Sequence, residues 1–108
     1  MPLTPFEQLV LLAVARLGSG AYGMVVREEI RARTGRTASL AAVYATLGKL
    51  EDRKLLSSWI SAPTERRGGR ATKHFVLARS GAWALRACQE QLRQMWDGVE
   101  LSTYLEGP

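Results

Sequence analysis

This 108-residue chain has only one cysteine and one histidine. Cys88 has no second cysteine for an internal disulfide, which fits a reducing compartment. Cys88 and His74 together cannot complete a tetrahedral zinc site, so no metal is expected. Long apolar runs are missing as well: Arg16 and the glycines after Leu17 interrupt the first hydrophobic stretch before it reaches the roughly 20 residues of a membrane span. The opening MPLTPFEQ carries no basic segment of the kind that begins a signal peptide, and a soluble cytoplasmic protein is expected. There is no paired-carboxylate signature, no nucleophile with an evident histidine partner and no phosphate-binding loop, so neither catalysis nor a cofactor is expected. The stretch Gly18-Ser19-Gly20-Ala21-Tyr22-Gly23 does spell G-x-G-x-x-G, but it follows a helix rather than a strand, and no acid stands about 20 positions on. It reads as a turn between helices, where glycine permits positive φ.

What is present is a modest globular composition, 46% apolar and 23% charged, with a formal charge of +5. The charge is unevenly placed. Between residues 64 and 79, Arg66, Arg67, Arg70, Lys73 and Arg79 face only Glu65, whereas beyond residue 80 the acids outnumber the bases. A clustered positive stretch points to a polyanionic partner, or to a solvated basic loop. A domain this small buries a limited share of its surface and gains from oligomerisation.

The local signals give an order of elements that is mainly α with a two-stranded β-hairpin. Thr4, Pro5 and Glu7 form a helix start with a capping box, and the helix runs to about Leu17 with Leu9 and Leu12 among apolar residues that surround most of it. A helix apolar nearly all round is buried on more than one side, and the second cover is expected from another subunit. Met24–Arg33 is a second helix ended by Thr34-Gly35. The central stretch is Ser39–Leu56. Ser39 suits an N-cap, Leu40, Val43, Leu47 and Leu50 make one apolar stripe, and the opposite side is Ala41, Ala42, Tyr44, Ala45, Thr46, Gly48 and Lys49. Small, uncharged residues let a helix approach a surface closely; a major groove admits such a helix, and so does a neighbouring helix.

Helix, helix, short turn, helix is the order of a helix-turn-helix unit. Leu55–Ala62 and Thr72–Leu77 then read as a hairpin whose tip, Thr64–Ala71, is basic around Gly68-Gly69; a hairpin with an arginine-rich tip in this place is a wing. From Ser80 the pattern is helical again, with Leu85, Cys88, Leu92, Met95 and Val99 as a heptad seam flanked by Trp83 and Trp96. This predicts a winged helix-turn-helix over residues 1–79 and a dimerisation helix over 80–108 whose end, Glu100–Pro108, frays. The alternative is a helix packed along its own domain.

On these residues the chain resembles winged helix-turn-helix transcriptional regulators of the PadR family. The resemblance is carried by Tyr22-Gly23, by Val43-Tyr44 with Leu47 and Leu50-Glu51, by Gly68 through Leu77, and by Gly81 at the start of the last helix. It spans Leu3 to about Val99 and is nearest the short members with a single terminal helix. Three positions depart from the family pattern: Lys54 stands where glycine is usual, His74 where tyrosine is usual, and Ala78 where a capping threonine is common, leaving Ser80 to take the cap.

The resemblance implies double-stranded DNA as the partner. The third helix would enter a major groove with Ser39, Ala42, Tyr44, Thr46 and Lys49, while Arg66, Arg67, Arg70 and Lys73, around Gly68 and Gly69, would contact the neighbouring backbone or minor groove. It implies a homodimer on a pseudo-palindromic operator, with Leu9, Leu12, Leu85, Cys88, Leu92, Met95, Trp96 and Val99 at the dimer interface. It implies repression of detoxification or efflux genes and, in some members, relief by a phenolic or other hydrophobic effector, for which Trp83, Met95 and Trp96 are the candidate pocket; the plainer role for these three is dimer core. A winged-helix protein-interaction module that never touches DNA is the rival class, and its wing would normally lack the arginines.

Overall fold

The computed structural model describes residues 2–62 and 71–107. Three helices come first: α1 (Pro5–Leu17), α2 (Gly23–Thr34) and α3 (Leu40–Asp52). Each boundary has a local cause. The capping box at α1 forms in both directions, Glu7 N donating to Thr4 Oγ1 at 3.1 Å and Thr4 N donating to Glu7 Oε1 at 2.8 Å. Gly35 ends α2 in the left-handed region at φ 75°, where its N–H reaches the Arg31 carbonyl at 2.9 Å. Ser39 caps α3, its Oγ accepting from Ala42 N at 3.0 Å. Gly18, at φ 62°, opens the single 3-10 turn that links α1 to α2.

Strands β1 (Leu56–Ile60) and β2 (Lys73–Leu77) pair antiparallel with Leu56 opposite Leu77 and Ile60 opposite Lys73. Alternation puts Leu56, Phe75 and Leu77 toward the core, with Lys73 at the outer end of the same row, as the strand pattern requires. One isolated bridge, which the sequence did not betray, lies on the other side of β2: Ala21 pairs with Phe75, whose N–H donates to the Ala21 carbonyl at 2.7 Å. The core is one cluster drawn from all these elements. Leu11, Val14, Val26, Val43, Leu47 and Leu50 are almost fully buried in it.

Helix α4 (Arg79–Trp96) then leaves the body of the domain. Its start is pinned by close packing on the backbone just before β1 and on the end of β2, because a Cβ at Gly81 would meet the Leu55 carbonyl oxygen and stand 2.8 Å from Leu77 Cδ1. The expected Ser80 cap is not made. Ala78 is the N-cap residue and has no side chain to offer, while Ser80 Oγ donates instead to the Lys54 carbonyl at 2.5 Å, tying α4 to the turn before β1. From residue 89 onward every α4 side chain is exposed. The radius of gyration, 16.9 Å, therefore exceeds the roughly 13 Å of a compact chain this long.

Two expectations for the tail need correction. The heptad seam does not reach Val99: α4 stops at Trp96, Asp97 turns out of the helix, and Gly98 follows at φ 79°, so Val99 lies beyond the helical register. The last residues also do not simply fray, since Ser102–Leu105 forms one further turn, α5, in which Leu105 N reaches the Leu101 carbonyl at 3.1 Å.

Candidate nucleic-acid interface

The outer face of α3 is built by subtraction. Val43, Leu47 and Leu50 point into the core, which leaves Ala41, Ala42, Tyr44, Ala45 and Lys49 exposed on the other side. Thr46 is half-buried at the flank of this face, and Gly48 adds no side chain to it. No carboxylate interrupts the face until the last turn, where Glu51 stands at its flank and Asp52 on it. With Ser39 engaging the Ala42 amide, the amides of Leu40 and Ala41 remain as the open donors of the first turn. The helix is held in this attitude by Arg27 on α2, whose Nε donates to the Ala38 carbonyl at 2.8 Å across the turn.

Tyr44 does not stand free on this face. Its ring covers Gly23 at the start of α2; a Cβ there would lie 2.6 Å from Tyr44 Cε1. The glycine therefore makes room for the tyrosine, and 47% of Tyr44 stays exposed. Lys49 makes no ion pair among the described residues.

Lys73 is differently placed from the other expected cations. Its Nζ meets Glu51 Oε1 at 2.9 Å, and Ser58 Oγ donates to the second oxygen of the same carboxylate. The hydroxyl of Ser58 and then the ammonium of Lys73 hold the Glu51 carboxyl below its usual range. Glu51 was legible only as part of a helix motif; its partner lies 22 residues away on a strand. Arg66, Arg67, Gly68, Gly69 and Arg70 lie outside the described residues.

His74 fills an aromatic slot on the opposite face of the hairpin. It stacks on Trp59 with centroids 4.2 Å apart and meets Tyr22 edge-on at 5.7 Å. Its Nδ1 is buried without a hydrogen-bond partner.

The residues expected at a dimer surface fall into two groups. Leu9, Leu85 and Cys88 are partly buried against the chain's own core. Leu12, Leu92, Met95 and Trp96 are uncovered, and Met95 is 73% exposed. On α4 the second group continues the stripe of the first: Gly81, Leu85 and Cys88 seat the helix on the domain, and Leu92, Met95 and Trp96 prolong the same face past its edge. Leu12 on α1 borders that stripe in a groove shared with Gln8, Leu85 and Leu92. Leu92, Met95 and Trp96 meet Val99 and Leu101 in a shallow apolar cleft. Trp83 does not join them. Thirteen residues separate Trp83 from Trp96, about 20 Å of helix, and Trp83 points to the other side, where Arg86 lies over its ring at 5.4 Å.

No protein-family model and no curated protein matches the chain. Solved structures do. A PadR family transcription regulator from hypervirulent Clostridium difficile R20291 superimposes with a TM-score of 0.70 at 18% identity, over 94% of this chain and 99% of that one. A PadR family transcriptional regulator from Eggerthella lenta DSM 2243 gives 0.69 at 24% identity, over 95% and 86%. F93 from STIV, described as a winged-helix DNA-binding protein, gives 0.70 at 17% identity, over 93% and 100%. The fold is a winged helix.

Proposed function

We propose that this chain is a PadR-type transcriptional regulator that binds double-stranded DNA as a homodimer. One observation carries it: the exposed side of α3 is a run of small residues bounded by Tyr44 and Lys49, free of carboxylates until Glu51 and Asp52 in the last turn. Such a face enters a major groove without steric or electrostatic opposition. Ser39, the first-turn amides, Tyr44 and Lys49 then serve phosphates, while Ala42 and Thr46 meet base edges and thymine methyls. The arginines of the basic stretch, Arg66, Arg67 and Arg70, supply the charge beside it. The likeness to PadR regulators and to a winged-helix DNA-binding protein supports the same partner.

One domain with so few base contacts discriminates poorly. Two copies on half-sites one helical turn apart, about 34–36 Å, overcome this. The uncovered stripe of Leu92, Met95 and Trp96, with Leu12 beside it, is the surface that a second copy covers. Repression follows where such a dimer occupies a promoter. A hydrophobic effector, if one acts, meets Met95 and Trp96 rather than Trp83, because only the first two share a cleft.

The test is selection of bound fragments from genomic DNA together with sedimentation of the free protein. A two-fold symmetric enriched motif and a dimer at micromolar concentration are expected. No enriched motif, with no duplex binding at low salt, favours a protein-interaction module.

A further inference from the structure

Glu51 stands in the last turn of α3, where the helix macrodipole disfavours a carboxylate. What holds it there is the hairpin. Ser58 on β1 donates to one carboxylate oxygen and Lys73 on β2 approaches the other at 2.9 Å. These strands are the ones that lead into and out of the basic stretch, so a single side chain on the recognition helix grips both legs of the wing. The grip also neutralises Lys73: its ammonium is spent on Glu51 and lies 5.3 Å from the Phe75 ring centroid.

Resting on the DNA-binding function proposed above, we propose that Glu51 is a positioning residue for DNA recognition. It fixes the wing against α3 and withholds the Lys73 charge from phosphate, so that Lys73 adds nothing to the backbone attraction supplied by Lys49 and the arginines. Sequence-independent binding is thereby restrained, and selectivity rises.

The experiment measures binding of a labelled operator duplex and of an unrelated duplex of equal length between 50 and 200 mM salt. With Glu51→Gln, the unrelated duplex is bound more tightly, and the slope of log affinity on log salt steepens by about 0.9, an extra loss of about 3.5-fold over that range for one released charge. Lys73→Gln alone leaves the slope at the wild-type value, and the double variant Glu51→Gln/Lys73→Gln returns to it. A purely structural role for Glu51 lowers the melting temperature and the affinity for both duplexes with the slope unmoved, and that result overturns the proposal. If Glu51→Gln does not fold, Lys73→Gln decides: a slope shallower by about 0.9 places Lys73 on phosphate and also overturns it. Wild-type protein that binds neither duplex removes the functional conclusion itself, whereas wild-type binding with an unmoved Glu51→Gln slope removes only this inference.

Discussion

The ring of Tyr44 on α3 rests on Gly23 at the start of α2, leaving no room for a Cβ at that glycine. Substituting alanine there pushes the ring outward, away from the position it needs for a phosphate. Gly23→Ala is expected to weaken duplex binding about tenfold, the worth of roughly 1.5 kcal/mol for one hydrogen bond to a charged group. Tyr44→Phe is expected to lose a similar amount, and the two together little more than either alone, since both remove one contact. Anisotropy titrations of the three variants check this; wild-type affinity for Gly23→Ala contradicts it.

Lys54 occupies the left-handed region at φ 65°, the one described non-glycine residue to do so. An L-residue there costs about 1–2 kcal/mol, and glycine relieves the strain while adding about 0.5–1 kcal/mol of unfolded-state entropy. Lys54→Gly is therefore expected to raise the melting temperature by about 3–6 °C. A lower melting temperature contradicts the assignment of strain.

Gly81 is the reverse case. Its φ is ordinary, but α4 crosses the Leu55 carbonyl at that point. Gly81→Ala is expected to cost about 2–3 kcal/mol through overpacking, read as a lower denaturant midpoint with an unchanged slope. A neutral substitution would show that α4 is seated less closely than described.

How much of this was visible beforehand depended on range along the chain. The capping residues Thr4 and Ser39 act within three positions, and both formed the hydrogen bonds their patterns imply. The alternation of Lys73, Phe75 and Leu77 likewise orients β2 by itself. What escaped the sequence was long in range or depended on backbone direction. Ala21 has no periodicity to mark its bridge to Phe75. Glu51 and Lys73 are separated by a turn, a strand and the basic stretch. In the tail, Asp97 and Gly98 end a helix whose apolar spacing continues in sequence to Val99. Lys54, which departs from the glycine of the PadR pattern that the sequence resembles, sits at positive φ, so the departure marks local strain rather than another fold. Of the residues proposed on α3, Ala42, Tyr44 and Lys49 are exposed, while Thr46 is half-buried at the flank.

The Glu51 carboxyl is held below its ordinary value of 4.5, by Ser58 first and Lys73 second. A depressed carboxylate contributes stability above its unfolded pKa and loses it as pH falls through the folded one. Glu51→Gln is thus expected to be less stable than wild type near neutral pH, with the gap closing as pH drops below about 4.5. Urea melts across that range check it, and a gap that stays constant contradicts it. The exposed helix pairs Glu28–Arg31 and Glu90–Arg93 contribute little to this dependence.

The most direct measurement is a salt series of duplex binding for wild type and for a variant with Arg66, Arg67 and Arg70 all replaced by alanine. If the basic stretch works with α3 on DNA, the variant binds far more weakly at low salt, and its slope is shallower by up to about 2.7, roughly 0.9 for each lost phosphate contact. Equal affinity and equal slope for the two proteins would contradict a DNA-binding role for that stretch.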